Sequence, residues 1–225
     1  MAKVFISVGH GGSDPGAVAN GFKEKDLNLA ISLACRDELE RHGVTVLMSR
    51  TKDEEDNTKI KECNAFKPDY AVDIHNNAGG GDGVEIYHHY GGGKSKTIAQ
   101  NVLNAIIALG QNSRGLKTRK DENGKDWYAF IRETSAPAII VECAFVDNKK
   151  DIAIIDTAAE QKAMGVAIAK GILKTLGIAW KAEETKPASK TIYRVQVGAF
   201  SVKKNAENYV KKLKADGYPA FIVEA

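Results

Sequence analysis

The sequence has few of the features that mark several large classes of protein. It has only three cysteines, Cys35, Cys63 and Cys143, and their spacing is not that of a metal-binding knuckle. This small, odd number argues against a disulfide framework and favours reduced, buried thiols. The sequence also has no run of 18 apolar residues, so we expect no insertion into a membrane.

A strong charge of either sign is lacking as well. The 32 Lys and Arg residues nearly balance the 29 Asp and Glu residues, and no basic helix is interleaved with aromatic residues. This pattern argues against a nucleic-acid partner.

The amino terminus enters a strand pattern after one lysine, without the apolar core and cleavage site of a secretory signal. We therefore expect synthesis in the cytoplasm without a signal peptide.

Strand patterns alternate with helical patterns over the first four-fifths of the chain, which is typical of an α/β fold. We predict a largely parallel or mixed twisted sheet flanked by helices over residues 1–179. Residues 180–191, WKAEETKPASKT, have the polar, proline-containing composition of a linker. Residues 192–225 then predict a small α+β module of strand, helix and strand.

Three apolar strands of the predicted sheet each end in a side chain that can bind a metal or transfer a proton. VFISVG leads to His10, YAVDI leads to His75 and AIIV leads to Glu142. Functional groups in open α/β sheets collect outside the carboxyl ends of the strands, so we expect these three side chains on one rim. Two histidines and one carboxylate are the protein ligands of a hydrolytic zinc site, with the fourth position open.

The carboxylate ligand is expected from the first turn of the first helix. The segment NGFKEKDLN offers two candidates there, Glu24 and Asp26, and the residues alone do not decide between them. Either choice leaves Glu142 as the catalytic base.

Four motifs, in this order, resemble those of the zinc-dependent N-acetylmuramoyl-L-alanine amidases of the cell-wall type, which include autolysins and phage endolysins. The motifs are GHGGSDPGA at 9–17, Glu24, DIHNNA at 73–78 and PAIIVECAF at 137–145. The resemblance covers about residues 1–178, and four ordered motifs are more specific than a single short pattern. It selects Glu24 over Asp26.

The resemblance implies a function and a set of site residues. One Zn²⁺ is expected on His10, Glu24 and His75, with Glu142 as the catalytic residue. The implied substrate is peptidoglycan, and the implied bond joins N-acetylmuramic acid to L-alanine of the stem peptide. Two alternatives stay open: a catalytically silent wall-binding protein on the same scaffold, and a zinc peptidase that cuts within the stem peptide.

Two departures from the family pattern bear on substrate fit. Cys143 and Ala144 stand between the glutamate and the phenylalanine where a glycine is usual, and DIHNN replaces the commoner SIHAN. Two further residues are candidates for substrate binding. Asn77 either binds substrate or fixes its loop, and Arg132 in FIRETSAP either clamps a stem-peptide carboxylate or is solvated.

The carboxyl-terminal segment, residues 192–225, resembles the first half of a SPOR domain, a module associated with peptidoglycan that lacks stem peptides. YRVQVGAF, a helix over 205–216 and GYPAFIVEA carry the resemblance. Residues 181–225 contain nine Lys or Arg and five Asp or Glu. This surplus favours retention on an anionic wall, and the alternative is an ordinary solvated helix face.

A single strand, helix and strand unit leaves open sheet edges, and at this length we expect it to be only marginally stable by itself. We therefore predict a homodimer in which two tails complete one sheet, the alternative being a frayed or docked tail.

Since no signal peptide is expected, the protein would reach the wall after release from the cell. A phage endolysin and a sporulation autolysin both fit that expectation.

Overall fold

The computed structural model describes residues 1–55, 57–182 and 196–223. Contacts between Cα atoms divide the chain into two compact units, Met1–Lys181 and Ala182–Ala225. Most of the predicted linker, and the start of the strand predicted from residue 192, lie outside the described residues. The domain bounds at 179 and 191 therefore stay predictions.

The first unit contains strands and helices in alternation. The strands are β1 (Lys3–Val8), β2 (Val18–Ala19), β3 (Phe22–Lys23), β4 (Thr45–Met48), β5 (Tyr70–Asn77), β6 (Val84–His88), β7 (Ser113–Lys117) and β8 (Ala138–Phe145). The helices are α1 (Glu24–Arg41), α2 (Lys59–Phe66), α3 (Gly93–Ile107), α4 (Ala129–Glu133), α5 (Lys149–Ile152) and α6 (Ala158–Thr175).

Six of the strands form one sheet in the order β4-β1-β5-β8-β6-β7. Strands β4, β1, β5 and β8 are mutually parallel, β6 runs antiparallel to β8, and β7 is parallel to β6. The prediction of a largely parallel or mixed sheet flanked by helices is therefore confirmed. The carboxyl ends of β1, β5 and β8 meet at one rim, where the amino end of β6 also lies.

The sheet is covered on both faces, which explains the nearly continuous apolar runs of its central strands. One face packs through residues such as Ile6 and Ile74 in a core with Ile31 of α1 and Ile168 of α6. On the other face, Phe5 and Ile140 belong to a smaller cluster with Phe130 of α4. This second cluster ends before the rim, and polar side chains take its place there.

The strand β7 was not predicted, and its sequence explains why. SRGLK has four exposed or half-buried polar or glycine positions and no alternation of apolar and polar residues. It pairs with β6 through a register shift between Val84 and Glu85.

All three cysteines are buried and free. No helix in the described part of the chain has the combination of length and apolar character that crossing a bilayer requires.

The second unit contains the helix α7 (Lys203–Ala215), close to the predicted 205–216. Among its described residues, neither 196–202 nor 216–223 forms a strand, and none is buried. Several apolar side chains are exposed, including Val197, Phe200 and Phe221. The pairing of two tails stays a prediction.

Candidate active site

The rim of the sheet brings together three of the residues expected there. His10 follows the end of β1, His75 lies near the end of β5, and Glu24 is the first residue of α1. One ligand atom from each residue lies within 4.8 Å of the others. Glu24 is 4% exposed, whereas Asp26 points to solvent, so the structure places Glu24 and not Asp26 in this cluster.

The backbone at His10 has a conformation that few side chains adopt. Its φ angle is 60°, in the left-handed region, which turns the chain sharply away from β1. The imidazole is held on both sides: Nδ1 lies 2.7 Å from Asp14 Oδ2, and Nε2 lies 3.1 Å from Glu24 Oε2. A strained backbone with a doubly held side chain is typical of a functional site.

Two glycines of the GHGGSDPG motif are required by close approach. A Cβ at Gly9 would lie 2.3 Å from the His75 ring, and a Cβ at Gly16 would lie 2.6 Å from both Glu24 Oε2 and His10 Cδ2. Since real Cβ atoms do not come so near, any side chain at these positions would push the cluster apart. The glycines therefore shape the space around the three residues.

Glu24 is the most heavily hydrogen-bonded of the three. Its Oε1 lies 3.0 Å from His75 Nδ1 and accepts from the backbone N–H of Asn76 at 3.1 Å. Its Oε2 accepts from the backbone N–H of Ala17 at 3.0 Å. Burial alone would raise the pKa of Glu24, but the contacts with His10 and His75 outweigh it and hold that pKa well below the usual range. Glu24 is therefore an anion at neutral pH.

His75 is surrounded by carboxylates. Besides Glu24, Asp73 Oδ1 lies 3.5 Å from its Nε2, and Asp73 is itself bonded to Ser7 and Lys59. Burial would lower the pKa of His75, but Asp73 and Glu24 outweigh it and raise that pKa to about 10. The hydrogen bond to Glu24 likewise raises the pKa of His10. Both imidazoles thus face a negative environment that favours a cation.

The three side chains fit a divalent metal. Two imidazoles and one carboxylate are a ligand set of catalytic zinc, and each ligand has an outer partner that orients it, as metal ligands usually do. Asp14 orients His10, Asp73 lies beside His75, and backbone N–H groups hold Glu24. The anionic surroundings that favour protonated histidines also favour a cation in their place.

Glu142 lies next to this cluster but outside it. In the register of β5 and β8 it pairs with His75, and in that of β6 and β8 it pairs with Glu85. Burial raises the pKa of Glu142 to about 7; the charge of His75 opposes this, and the charges of Glu24 and Asp73 add to it. The described residues provide no hydrogen bond to its carboxylate.

The two candidate substrate residues lie in different surroundings. Asn77 is at the end of β5, and its Nδ2 donates to Glu85 Oε1 at 2.9 Å. Arg132 in α4 donates to the backbone carbonyls of Asp126 and Trp127 at 2.8 and 2.9 Å and pairs with Glu133 at 2.6 Å. Both side chains hold neighbouring protein groups, and their roles in substrate binding stay predictions.

Sequence reasoning missed four polar residues around the cluster: Asp14, Asp73, Glu85 and Arg114. One of them, Asp73, could have been found from the sequence. It is a carboxylate in the middle of the buried strand YAVDIH, two residues before His75 and on the same face. Asp14 looks like an ordinary turn residue, although it also bonds His10. The sequence does not indicate a role for Arg114, because its contact with Glu85 depends on the unpredicted strand β7.

Comparisons with known proteins match both parts of the chain. The family model of N-acetylmuramoyl-L-alanine amidase matches residues 4–174, and that of the SPOR domain matches residues 169–225. The sporulation-specific N-acetylmuramoyl-L-alanine amidase of Bacillus subtilis is 34% identical over 229 residues, covering 99% of this chain and 85% of that protein. The endolysin of Bacillus phage SPP1 is 35% identical over 198 residues, covering 83% of this chain and 72% of that protein.

A solved structure is also similar to the first unit of this chain. Cwp6 from Clostridium difficile superposes with a TM-score of 0.76 at 40% identity, covering 78% of this chain and 29% of that one. The first family match extends over more than half of the chain and includes every residue of the rim cluster. The chain therefore belongs to the N-acetylmuramoyl-L-alanine amidase family.

Proposed function

We propose that the protein is a zinc-dependent peptidoglycan hydrolase that cleaves the amide bond between N-acetylmuramic acid and L-alanine. His10, Glu24 and His75 would hold the metal, and Glu142 would act as the base. The observation that carries the proposal is the pairing of His75 with Glu142 in adjacent strands. It puts a carboxylate that accepts no hydrogen bond from the described residues directly beside the ligand cluster.

The metal supplies what the side chains lack. When bound, zinc acts as a Lewis acid that polarises a carbonyl and activates water at neutral pH. The protein's own part is to hold His10, Glu24 and His75 in a fixed arrangement and to leave one side of the cluster open. The left-handed backbone at His10 and the missing side chains at Gly9 and Gly16 support this arrangement.

Glu142 moves the proton. Its carboxylate accepts a proton from the attacking water as the oxygen adds to the lactyl carbonyl carbon. It then gives that proton to the nitrogen of L-alanine as the C–N bond breaks, so that the amine leaves uncharged. A pKa of about 7 suits both steps, because the group can accept and return a proton near neutral pH.

The second unit would keep the enzyme on its substrate. The SPOR match and the basic surplus of residues 181–225 support binding to peptidoglycan, an anionic polymer. The site of action would be the cell wall. A sporulation amidase and a phage endolysin are both among the relatives, and they fit an autolytic or a lytic role.

Digestion of purified peptidoglycan by the zinc-loaded protein tests the proposal. We expect mass spectrometry to find free stem peptides that begin with L-alanine, together with glycan chains that have lost them. Cuts within the stem peptide would support the zinc peptidase instead. An intact polymer after digestion, with zinc bound to the protein, would support the catalytically silent wall-binding protein.

A further inference from the structure

A second polar cluster lies on the side of Glu142 away from the proposed metal. Its centre is Glu85, which pairs with Glu142 across β6 and β8 and is only 5% exposed. The Glu85 carboxylate accepts three hydrogen bonds: from Asn77 Nδ2 at 2.9 Å, from Tyr87 Oη at 3.2 Å and from Arg114 Nε at 2.8 Å. Glu85 is thus fixed in position, and it fixes Arg114 in turn.

Arg114 is held by one edge and is open at the other. Its Nε is bonded to Glu85, and its guanidinium lies 5.1 Å from the centre of the Phe145 ring. Within the described residues, neither of its terminal Nη nitrogens has a hydrogen-bond partner, and its side chain is 40% exposed. Arg132 differs, since both of its Nη nitrogens are bonded to protein oxygens.

We propose that the open edge of Arg114 binds a carboxylate of the stem peptide, close to the bond that is cleaved. This inference rests on the proposed function, because it assigns part of the same substrate. A guanidinium recognises a carboxylate through two parallel N–H bonds, and Arg114 offers Nη donors that are already oriented. Because Glu85 and Phe145 hold the side chain, little rotational freedom is lost when a ligand binds.

The position of Arg114 indicates which carboxylate of the stem peptide it can reach. Strand β7 lies two strands from β8, and adjacent strands are roughly 4.8 Å apart, so its backbone is about 10 Å from that of Glu142. The Arg114 side chain reaches back to Glu85 on β6, the strand next to β8, and so shortens that gap. An extended peptide advances about 3.4 Å per residue, so the shortened gap corresponds to about two residues, and the carboxylate within reach belongs to the second stem residue. In peptidoglycan that residue is a D-glutamate whose α-carboxyl is either free or amidated.

The inference therefore predicts a substrate preference. A free α-carboxylate accepts two charge-assisted hydrogen bonds from Arg114, whereas an amidated one offers a single neutral acceptor. Hydrogen bonds to charged groups are worth more than neutral ones by an amount that corresponds to about a tenfold change in kcat/KM. We expect the protein to cleave the free-acid substrate about tenfold more efficiently.

A matched pair of muropeptides tests this directly. Both carry N-acetylmuramic acid and three stem residues, and they differ only in whether the D-glutamate α-carboxyl is free or amidated. The zinc-loaded full chain and its Arg114→Gln variant are assayed for kcat/KM on each. We expect a ratio of about ten for the unsubstituted protein and close to one for Arg114→Gln, with the loss on the free acid. Arg114→Lys keeps the positive charge but lacks the two parallel N–H donors of the guanidinium, and it should give an intermediate ratio.

Two control variants make the result specific. Arg36→Gln removes a surface arginine that is likewise bonded to a carboxylate, Asp37, and it should leave the ratio at about ten. A loss of the preference in Arg132→Gln, with Arg114→Gln retaining it, would place the carboxylate at Arg132 and overturn the inference. Equal cleavage of both muropeptides by the unsubstituted protein would also overturn it while leaving the proposed function intact. Cleavage of neither would overturn both.

Discussion

Two glutamates at the same rim of the sheet, Glu24 and Glu142, have opposite surroundings. Glu24 accepts hydrogen bonds from backbone N–H groups and contacts two histidines, and these contacts hold its pKa well below the usual range. Glu142 has no hydrogen bond from the described residues, and burial raises its pKa to about 7. Burial acts to raise both pKa values, and at Glu24 the contacts with the histidines and with backbone N–H groups outweigh it.

The comparison assigns a task to each carboxylate. A metal ligand has to stay ionised and fixed, which is what many hydrogen bonds provide, whereas a base has to exchange a proton and needs a pKa near the working pH. The surroundings push the pKa values of Glu24 and Glu142 apart. The predictions below test this division, beginning with the largest expected effect.

Glu142→Gln should lower the rate of amide cleavage by about 10² to 10⁴, because an amide cannot accept the proton of the attacking water. The rate is measured on a soluble muropeptide with zinc in excess. Glu40→Gln, on the exposed surface of α1, serves as the control and should keep the full rate. A Glu142→Gln protein that keeps its rate within tenfold of the unsubstituted chain would remove Glu142 from the mechanism.

Zinc affinity should rise steeply with pH. The carboxylates around His75 raise its pKa to about 10, and Glu24 raises the pKa of His10, so protonation of both imidazoles is favoured in the metal-free protein. Zinc must displace these protons, and each proton released makes affinity rise about tenfold per pH unit below the pKa concerned. Competition with a chelator of known affinity at pH 6, 7 and 8 measures the slope. An affinity independent of pH would contradict the protonated cluster.

Asp14→Asn should weaken zinc binding by about tenfold, because the hydrogen bond between Asp14 and Nδ1 orients the imidazole of His10, a proposed zinc ligand. Its backbone role is preserved, because asparagine still accepts the N–H of Gly16 that Asp14 Oδ1 accepts at 3.0 Å. The same chelator competition at pH 8 gives the measurement. Asp37→Asn, on the exposed face of α1, is the control, and an affinity in Asp14→Asn equal to that of the control would contradict the orienting role.

Much of the rim could be predicted from the sequence. The runs before His10, His75 and Glu142 are long, apolar and central, so the strands and their shared end followed from the pattern. What could not be predicted depends on pairing. Glu85 comes beside Glu142 only because β6 runs antiparallel to β8, and Arg114 reaches Glu85 from a strand without an apolar pattern.

The tail should have no effect on the chemistry of the two glutamates. Every buried apolar residue that the structure describes lies within residues 1–181, so a chain that ends at Lys181 is expected to fold and to cleave a soluble muropeptide at the full rate. Its binding to insoluble walls should weaken, because a second attachment to the polymer is lost. Sedimentation of both chains with purified walls measures this, and equal binding would contradict the proposed role of the tail.

The zinc content of a matched pair of variants tests the central claim most directly. Glu24→Gln and Glu142→Gln make the same chemical change at two carboxylates of one rim. Each variant is purified with zinc and analysed by elemental mass spectrometry and by circular dichroism. The account predicts that both proteins are folded, that Glu142→Gln binds one zinc per chain, and that Glu24→Gln binds much less. A folded Glu142→Gln protein without zinc, or a Glu24→Gln protein with a full equivalent, would contradict the division between ligand and base.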